Sequence, residues 1–175
     1  MTALRTILGG TLMLVHLLAG SAWSAQDKTG IAEGKRIYTE GILPGGNPVQ
    51  AIGASGLRVA GQAAACIQCH RPSGLGQVEG DFPVPPITGR ALFGPARSVV
   101  VNADRVRGKT FNLSHEPYTE TDFGKLVRDG VAPDGRMLAQ EMPRYAFDGQ
   151  ALMALKAYLE TLSAASDPGV EPSRI

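Results

Sequence analysis

The sequence predicts a mainly α-helical domain with long loops and one or two short β-hairpins. Three segments place apolar residues at helical spacing, namely residues 30–39, 119–129 and 148–163. The chain has 175 residues, including 22 Gly and 12 Pro, so it is long enough for one domain and many of its connections must be turns.

The first predicted helix, residues 30–39, carries Ile31, Ile37 and Tyr38 on or near one face. Gly34 lies in the same stretch. A glycine inside a helix costs roughly 1 kcal/mol relative to alanine. Gly34 is therefore either a tolerated residue or a site where another backbone approaches closely.

Two β-hairpins are predicted between the helices. Residues 49–52 can pair with residues 57–60 across a small glycine-containing turn, within a segment in which Gly and Pro recur. Residues 98–102 contain three consecutive valines and can pair with residues 109–112. We expect both hairpins to be insertions on a helical domain.

The two later helices have clear end signals. Thr119 with Asp122 three residues later is related to a capping box, and Gly130 can end that helix. Asp148 can cap the last helix, which continues with leucines at helical spacing.

Both ends of the chain look unlike the central domain. Residues 1–25 combine Arg5, an apolar run and small residues before Ala25, which is typical of a secretory signal peptide and predicts export to the periplasm. The apolar run is shorter than the ~20 residues of a spanning helix, so no membrane span is expected in the mature chain. Residues 26–165 then form the domain, and the polar residues 166–175 a disordered tail.

The overall charge is nearly balanced, with 17 basic and 16 acidic residues. Nucleic-acid binding depends mainly on a basic face that neutralises phosphates. The composition therefore argues against a nucleic-acid partner.

The most informative stretch is Cys66-Ile67-Gln68-Cys69-His70. Cys66 and Cys69 are three residues apart, so on a helical turn both thiols face the same side and can reach the two vinyl groups of one porphyrin. His70 follows on that face and can bind iron through one imidazole nitrogen. The pattern predicts one haem c, attached covalently through the two cysteines.

Other readings of this stretch are weaker. A zinc site needs four ligands, and with no further cysteine only His115 remains after the leader. A thioredoxin-like dithiol normally follows a strand, whereas residues 60–65 are rich in Gly and Ala. A disulfide between Cys66 and Cys69 would leave His70 unexplained.

A proline-rich run, residues 82–89, follows the motif, and three prolines in five residues exclude a helix there. An iron-binding histidine needs its other N–H held by an acceptor. An extended proline-rich segment can offer such a carbonyl oxygen.

In this order the segments resemble the mono-haem cytochrome c family: a first helix with Gly34, the Cys66–His70 motif, a Pro85-Pro86-Ile87-Thr88-Gly89 loop, Met142-Pro143, and a last helix. The resemblance implies a small helical domain around one haem. It also implies that the first and last helices cross, with Gly34 and Tyr38 against Tyr158 and Leu159. The carbonyl of Pro85 would accept from His70, and Ile87 would pack on the haem.

For the second axial ligand, the resemblance points to Met142, the methionine before a proline. A thioether favours ferrous iron and raises the potential. Met137 and His115 are the alternatives. Met137 has no proline beside it, and most methionines in proteins only fill space in the core. His70 and Met142 are thus the expected iron ligands.

The predicted function is that of a periplasmic one-electron carrier, not an enzyme, working alone or as the cytochrome subunit of a dehydrogenase or respiratory chain. Its partners would be redox proteins that donate and accept electrons. The alternative is a haem enzyme or a gas or redox sensor with an open or labile sixth coordination site. A third reading is an exported protein without haem that carries the motif by chance.

Overall fold

The computed structural model describes residues 19–79, 82–95, 100–102, 110–112 and 114–166. Most of the predicted signal peptide and nearly all of the predicted tail lie outside these residues. None of the helices in the described part of the chain is both long and apolar enough to cross a membrane.

The described residues contain five α-helices, two of them single turns. They are α1 (Ala19–Glu40), α2 (Ile67–His70), α3 (Gly89–Leu92), α4 (Glu120–Asp129) and α5 (Gly149–Leu159). Short 3-10 helices occur at Ala54–Gly56, Gly61–Ala64 and Ala164–Ser166.

Seven short strands form antiparallel sheets in the same part of the chain. They are β1 (Gln50–Ile52), β2 (Arg58–Ala60), β3 (Gln77–Glu79), β4 (Phe82–Val84), β5 (Val100–Asn102), β6 (Thr110–Asn112) and β7 (Arg144–Tyr145). The strand orders are β2-β1-β7, β3-β4 and β5-β6.

The predicted mainly α fold class, a cytochrome c-like helical domain with inserted hairpins, is wrong. Helix accounts for 44 % and strand for 16 % of the structure, which is too mixed for that class. The two predicted hairpins exist, with Ile52 opposite Arg58 in one and Val101 opposite Phe111 in the other. Strand β7 pairs with β1 of the first hairpin and so joins that hairpin to the segment after Met142.

The core is built on the contact between α1 and α5. A Cβ added to Gly34 would lie 1.9 Å from the carbonyl oxygen of Ala154 and 2.8 Å from the Cβ of Tyr158. The rings of Tyr38 and Tyr158 are 5.3 Å apart at their centroids. The close backbone approach predicted at Gly34 is confirmed, and a side chain there would separate the two helices.

Local signals set most helix ends as predicted. Thr119 caps α4 in a complete capping box with Asp122, and Gly130 ends it in the left-handed conformation, with φ of 70°. Asp148 caps α5 by accepting from the Ala151 amide at 2.8 Å. Helix α5 ends at Leu159, earlier than predicted, and the described part of α1 extends back to Ala19, before the predicted start at residue 30.

Candidate functional site

The Cys66–His70 motif forms one helical turn. Cys66 stands at the N-cap of α2, and its carbonyl accepts from the amides of Cys69 at 3.3 Å and His70 at 2.9 Å. Arg71 ends the turn with φ of 65°. Cys66, Cys69 and His70 therefore lie within one helical turn.

A small apolar cavity of about 30 Å³ lies beside this turn. Its wall comes from the motif, from α3, α4 and α5, and from the segment around β7: Cys66, His70, Ile87, Leu92, Phe123, Leu126, Val127, Met142, Tyr145, Phe147, Leu155 and Leu159. An apolar lining with a few polar groups is typical of a cofactor site. Elements far apart in sequence therefore meet around one apolar space.

His70 is held in the wall as a neutral imidazole. It is 4 % exposed, and its Nδ1 donates to the carbonyl oxygen of Pro85 at 2.9 Å. Burial lowers the pKa of His70 to about 4, and the hydrogen bond to Pro85 opposes this only in part. Because Nδ1 carries the donated proton, the lone pair of the neutral ring is on Nε2, the form that binds a metal.

Two glycine-containing turns bring Pro85 to His70. The amide of Ile87 donates to the carbonyl of Gly74 at 2.7 Å, and the amide of Gly76 donates to the carbonyl of His70 at 3.2 Å. A Cβ on Gly76 would lie 2.8 Å from the Pro85 carbonyl oxygen. Pro85 and Ile87 therefore lie beside the motif, where the resemblance places them.

The two cysteines are both free thiols but differ in exposure. Cys66 is buried and lines the cavity, whereas Cys69 is half-buried and is not among the lining residues. Burial raises the pKa of Cys66 to about 12, and burial also raises the pKa of Cys69. Both side chains are therefore protonated at neutral pH, and neither has the low pKa of a reactive thiolate.

Of the three candidates for a second axial ligand, Met142 is the one that lines the cavity. Met137 is 61 % exposed. His115 stacks on Tyr118 at 4.2 Å between ring centroids, and its Nδ1 lies 2.7 Å from the carbonyl oxygen of Glu116. Met137 and His115 both lie outside the lining of the cavity.

Several site residues were not predicted from the sequence. Leu92, Tyr145 and Phe147 line the cavity, and the rings of Tyr145 and Phe147 stack at 4.8 Å. Burial raises the pKa of Tyr145. Phe147 lies outside the two-residue strand β7, so the sequence has no alternating pattern there that marks these residues as part of a site.

The described residues include no group of three or more His, Cys, Asp or Glu side chains placed to hold a metal ion. A haem site needs no such group, because the porphyrin supplies most of the iron ligands. The residues that are present fit that cofactor: two thiols and a neutral histidine on one turn, an apolar wall, and a thioether on the same wall.

No protein-family model, no curated protein and no solved structure matches the chain. The function therefore has to be inferred from the chemistry of the site.

Proposed function

We propose that this protein is an exported one-electron carrier with one covalently bound haem c, functionally a mono-haem c-type cytochrome. Cys66 and Cys69 would attach the cofactor, and His70 and Met142 would be its axial ligands. The haem supplies one-electron exchange between ferric and ferrous iron. Redox proteins would act as donor and acceptor, either with the carrier free or with it bound as a subunit of an oxidoreductase.

The observation that carries this proposal is the position of the motif turn against a cavity that also has Met142 on its wall. The sequence predicts haem attachment at the Cys66–His70 motif and the second axial ligand at Met142. They are more than 70 residues apart on the numbering of the chain, so their meeting at one cavity is a property of the tertiary structure.

The state of His70 supports ligation. Its neutral ring is oriented by Pro85, so the iron-binding nitrogen is unprotonated at neutral pH. A carbonyl acceptor on Nδ1 also increases the basicity of the ligand. The residue could therefore bind iron without first having to lose a proton.

The apolar wall supports electron transfer rather than substrate chemistry. Besides Cys66 and His70, Tyr145 is the residue of the wall that carries an ionisable group, and burial raises its pKa, so it stays a neutral phenol. General acid or base catalysis needs a group with a pKa near the working pH. An axial thioether and a dry pocket both favour ferrous iron and so raise the reduction potential.

The first test is covalent attachment. Protein produced with a c-type maturation system should give a haem-stained band after denaturing electrophoresis, and Cys66→Ala with Cys69→Ala should abolish it. A colourless band from the wild-type chain would contradict the proposal at its base.

The second test is the sixth ligand. Wild-type ferric protein should show the methionine-to-iron charge-transfer band, and the ferrous form should refuse carbon monoxide. Met142→Ala should remove the band and admit carbon monoxide, whereas the matched variant Met137→Ala should behave as wild type because Met137 lies on the surface. If the wild-type haem itself binds carbon monoxide readily, the protein is instead a haem enzyme or sensor with an open sixth site.

A further inference from the structure

The side chain of Arg144 donates hydrogen bonds to the backbone of the segment that carries Met142. Its Nη2 donates to the carbonyl oxygens of Leu138 at 2.9 Å and Ala139 at 3.4 Å. Its Nη1 donates to the carbonyl oxygen of Met142 itself. One guanidinium group thus donates to three carbonyl oxygens within the turn of residues 138–142. The same turn contains a hydrogen bond from the Met142 amide to the Ala139 carbonyl, at 3.2 Å.

Arg144 is itself held from two sides. Its backbone belongs to β7 and is opposite Ile52 of β1. Its side chain lies against Gly130, where an added Cβ would be 2.1 Å from Nε and 2.4 Å from Nη2. The guanidinium therefore occupies a fixed place between the end of α4 and the Met142 turn.

Gly130 also binds the other end of the segment that carries Met142. The amide of Leu138 donates to the carbonyl of Gly130 at 2.8 Å. Gly130 ends α4, the helix that supplies Phe123, Leu126 and Val127 to the cavity wall. The turn that carries Met142 is thereby tied both to that wall and to the sheet.

We propose that Arg144 is the positioning residue for Met142, holding the thioether at the cavity before and independently of any bond to iron. This inference rests on the proposed function. A planar guanidinium donates several N–H groups in fixed directions, and hydrogen bonds from a charged donor are about twice as strong as neutral ones. Lysine keeps the charge but cannot present that geometry to three carbonyls.

The test compares Arg144→Lys with wild type in the haem-loaded protein, by titrating imidazole against the ferric form. Imidazole competes with Met142 for the sixth position, so a loosened turn should raise its apparent affinity by roughly tenfold or more. The methionine-to-iron charge-transfer band should weaken in parallel, and the reduction potential should fall.

Arg128→Lys is the matched control. Arg128 also donates to a backbone carbonyl, that of Phe147 at 2.7 Å, which lies outside the turn of residues 138–142. Arg128→Lys should lose about as much stability towards denaturant as Arg144→Lys and should keep the wild-type imidazole affinity. Equal imidazole affinity in Arg144→Lys and wild type would overturn the inference, provided that Met142→Ala opens the sixth site. If Met142→Ala also changes nothing, the proposed ligation has failed instead.

A second measurement does not depend on whether an Arg144 variant matures. In Met142→Ala the iron bond is absent while Arg144 is intact, so the amides of residues 138–142 should exchange with deuterium as slowly as in wild type. Fast exchange there would show that the iron bond holds the turn, and would also overturn the inference.

Discussion

The hydroxyl of Tyr38 donates to the carbonyl oxygen of Arg71 at 2.5 Å, joining helix α1 to the residue that follows His70. Arg71 has φ of 65° and ψ of 167°, a region that residues other than glycine rarely adopt. Tyr38 is fully buried. The bond therefore secures an unfavourable backbone conformation directly beside the candidate iron ligand.

We expect Tyr38→Phe to lower the free energy of unfolding by about 1–2 kcal/mol, because the ring still packs and the Arg71 carbonyl loses its donor. Denaturant unfolding of the haem-loaded protein measures this change. Tyr158→Phe is the control, since it also removes a hydroxyl from the Tyr38–Tyr158 ring pair but leaves the bond to Arg71 in place. An equal loss in both variants would contradict the special role of the Tyr38 hydroxyl.

Gly34→Ala should destabilise the protein by about 3 kcal/mol or more, because the added methyl group overlaps the Ala154 carbonyl and forces α1 and α5 apart. Gly30→Ala in the same helix meets nothing within 4 Å. It should be neutral or should stabilise by up to about 1 kcal/mol through helix propensity. Thermal and denaturant unfolding of the pair distinguish overpacking from propensity, and a small loss at Gly34 would show that the helices can separate at little cost.

Gly76→Ala should remove the hydrogen bond between His70 and Pro85, because the methyl group would lie 2.1 Å from the Val84 oxygen and 2.8 Å from the Pro85 oxygen. Under the proposed function the weaker imidazole donor should then raise the reduction potential.

The control for this change is Gly135→Ala. Gly135 also has positive φ, of 79°, but an added Cβ there meets nothing within 4 Å. Both variants should lose about 1–2 kcal/mol from backbone strain. Gly76→Ala should lose more, because its methyl group also overlaps the Val84 oxygen, and only Gly76→Ala should change the potential in a redox titration. Identical potentials in the two variants would show that the Pro85 contact does not tune the site.

Thr119→Ala should destabilise the protein by about 1 kcal/mol near neutral pH through loss of the α4 cap. The loss should shrink in acid. The Thr119 side chain holds the pKa of the Asp122 carboxyl below its ordinary value of 3.8.

Because the folded-state pKa is the lower one, this contribution is complete above the unfolded-state pKa and disappears as the pH falls through the folded-state pKa. Unfolding free energies of wild type and Thr119→Ala should therefore converge on acidification. Thr119→Ser, which keeps the hydroxyl, should follow wild type across the range. A constant difference at all pH values would contradict the role of the Asp122 charge.

Predictions from the sequence succeeded where the physical cause lies within a few residues. The capping box at Thr119 and Asp122, the stop at Gly130 and the cap at Asp148 depend on hydrogen bonds between near neighbours, and all three lie where they were predicted. The two hairpins have the predicted strands, since alternation and turn residues are local patterns.

The fold class was wrong because several strands were not predicted. The β3–β4 hairpin was missed, and β4 lies in the proline-rich run that was predicted only as extended. Strand β7 was missed because it has no local signature. Two residues show no alternation, and Arg144 and Tyr145 become a strand only because β1 offers them free backbone groups from a distant part of the chain. Likewise, nothing in the sequence around Arg144 indicates that its guanidinium would bind three carbonyls against Gly130.

By itself the sequence determined the chemistry available to this protein, namely two thiols and an imidazole on one turn and a methionine before a proline, because spacing along the chain sets which side chains share a turn. Only the tertiary structure decided that Met142, and neither Met137 nor His115, lies on the cavity wall beside His70. The reason is that this placement depends on contacts between distant segments. These contacts are the close packing of α1 on α5, the pairing of β7 with β1, and the hydrogen bonds from Arg144 to the Met142 turn.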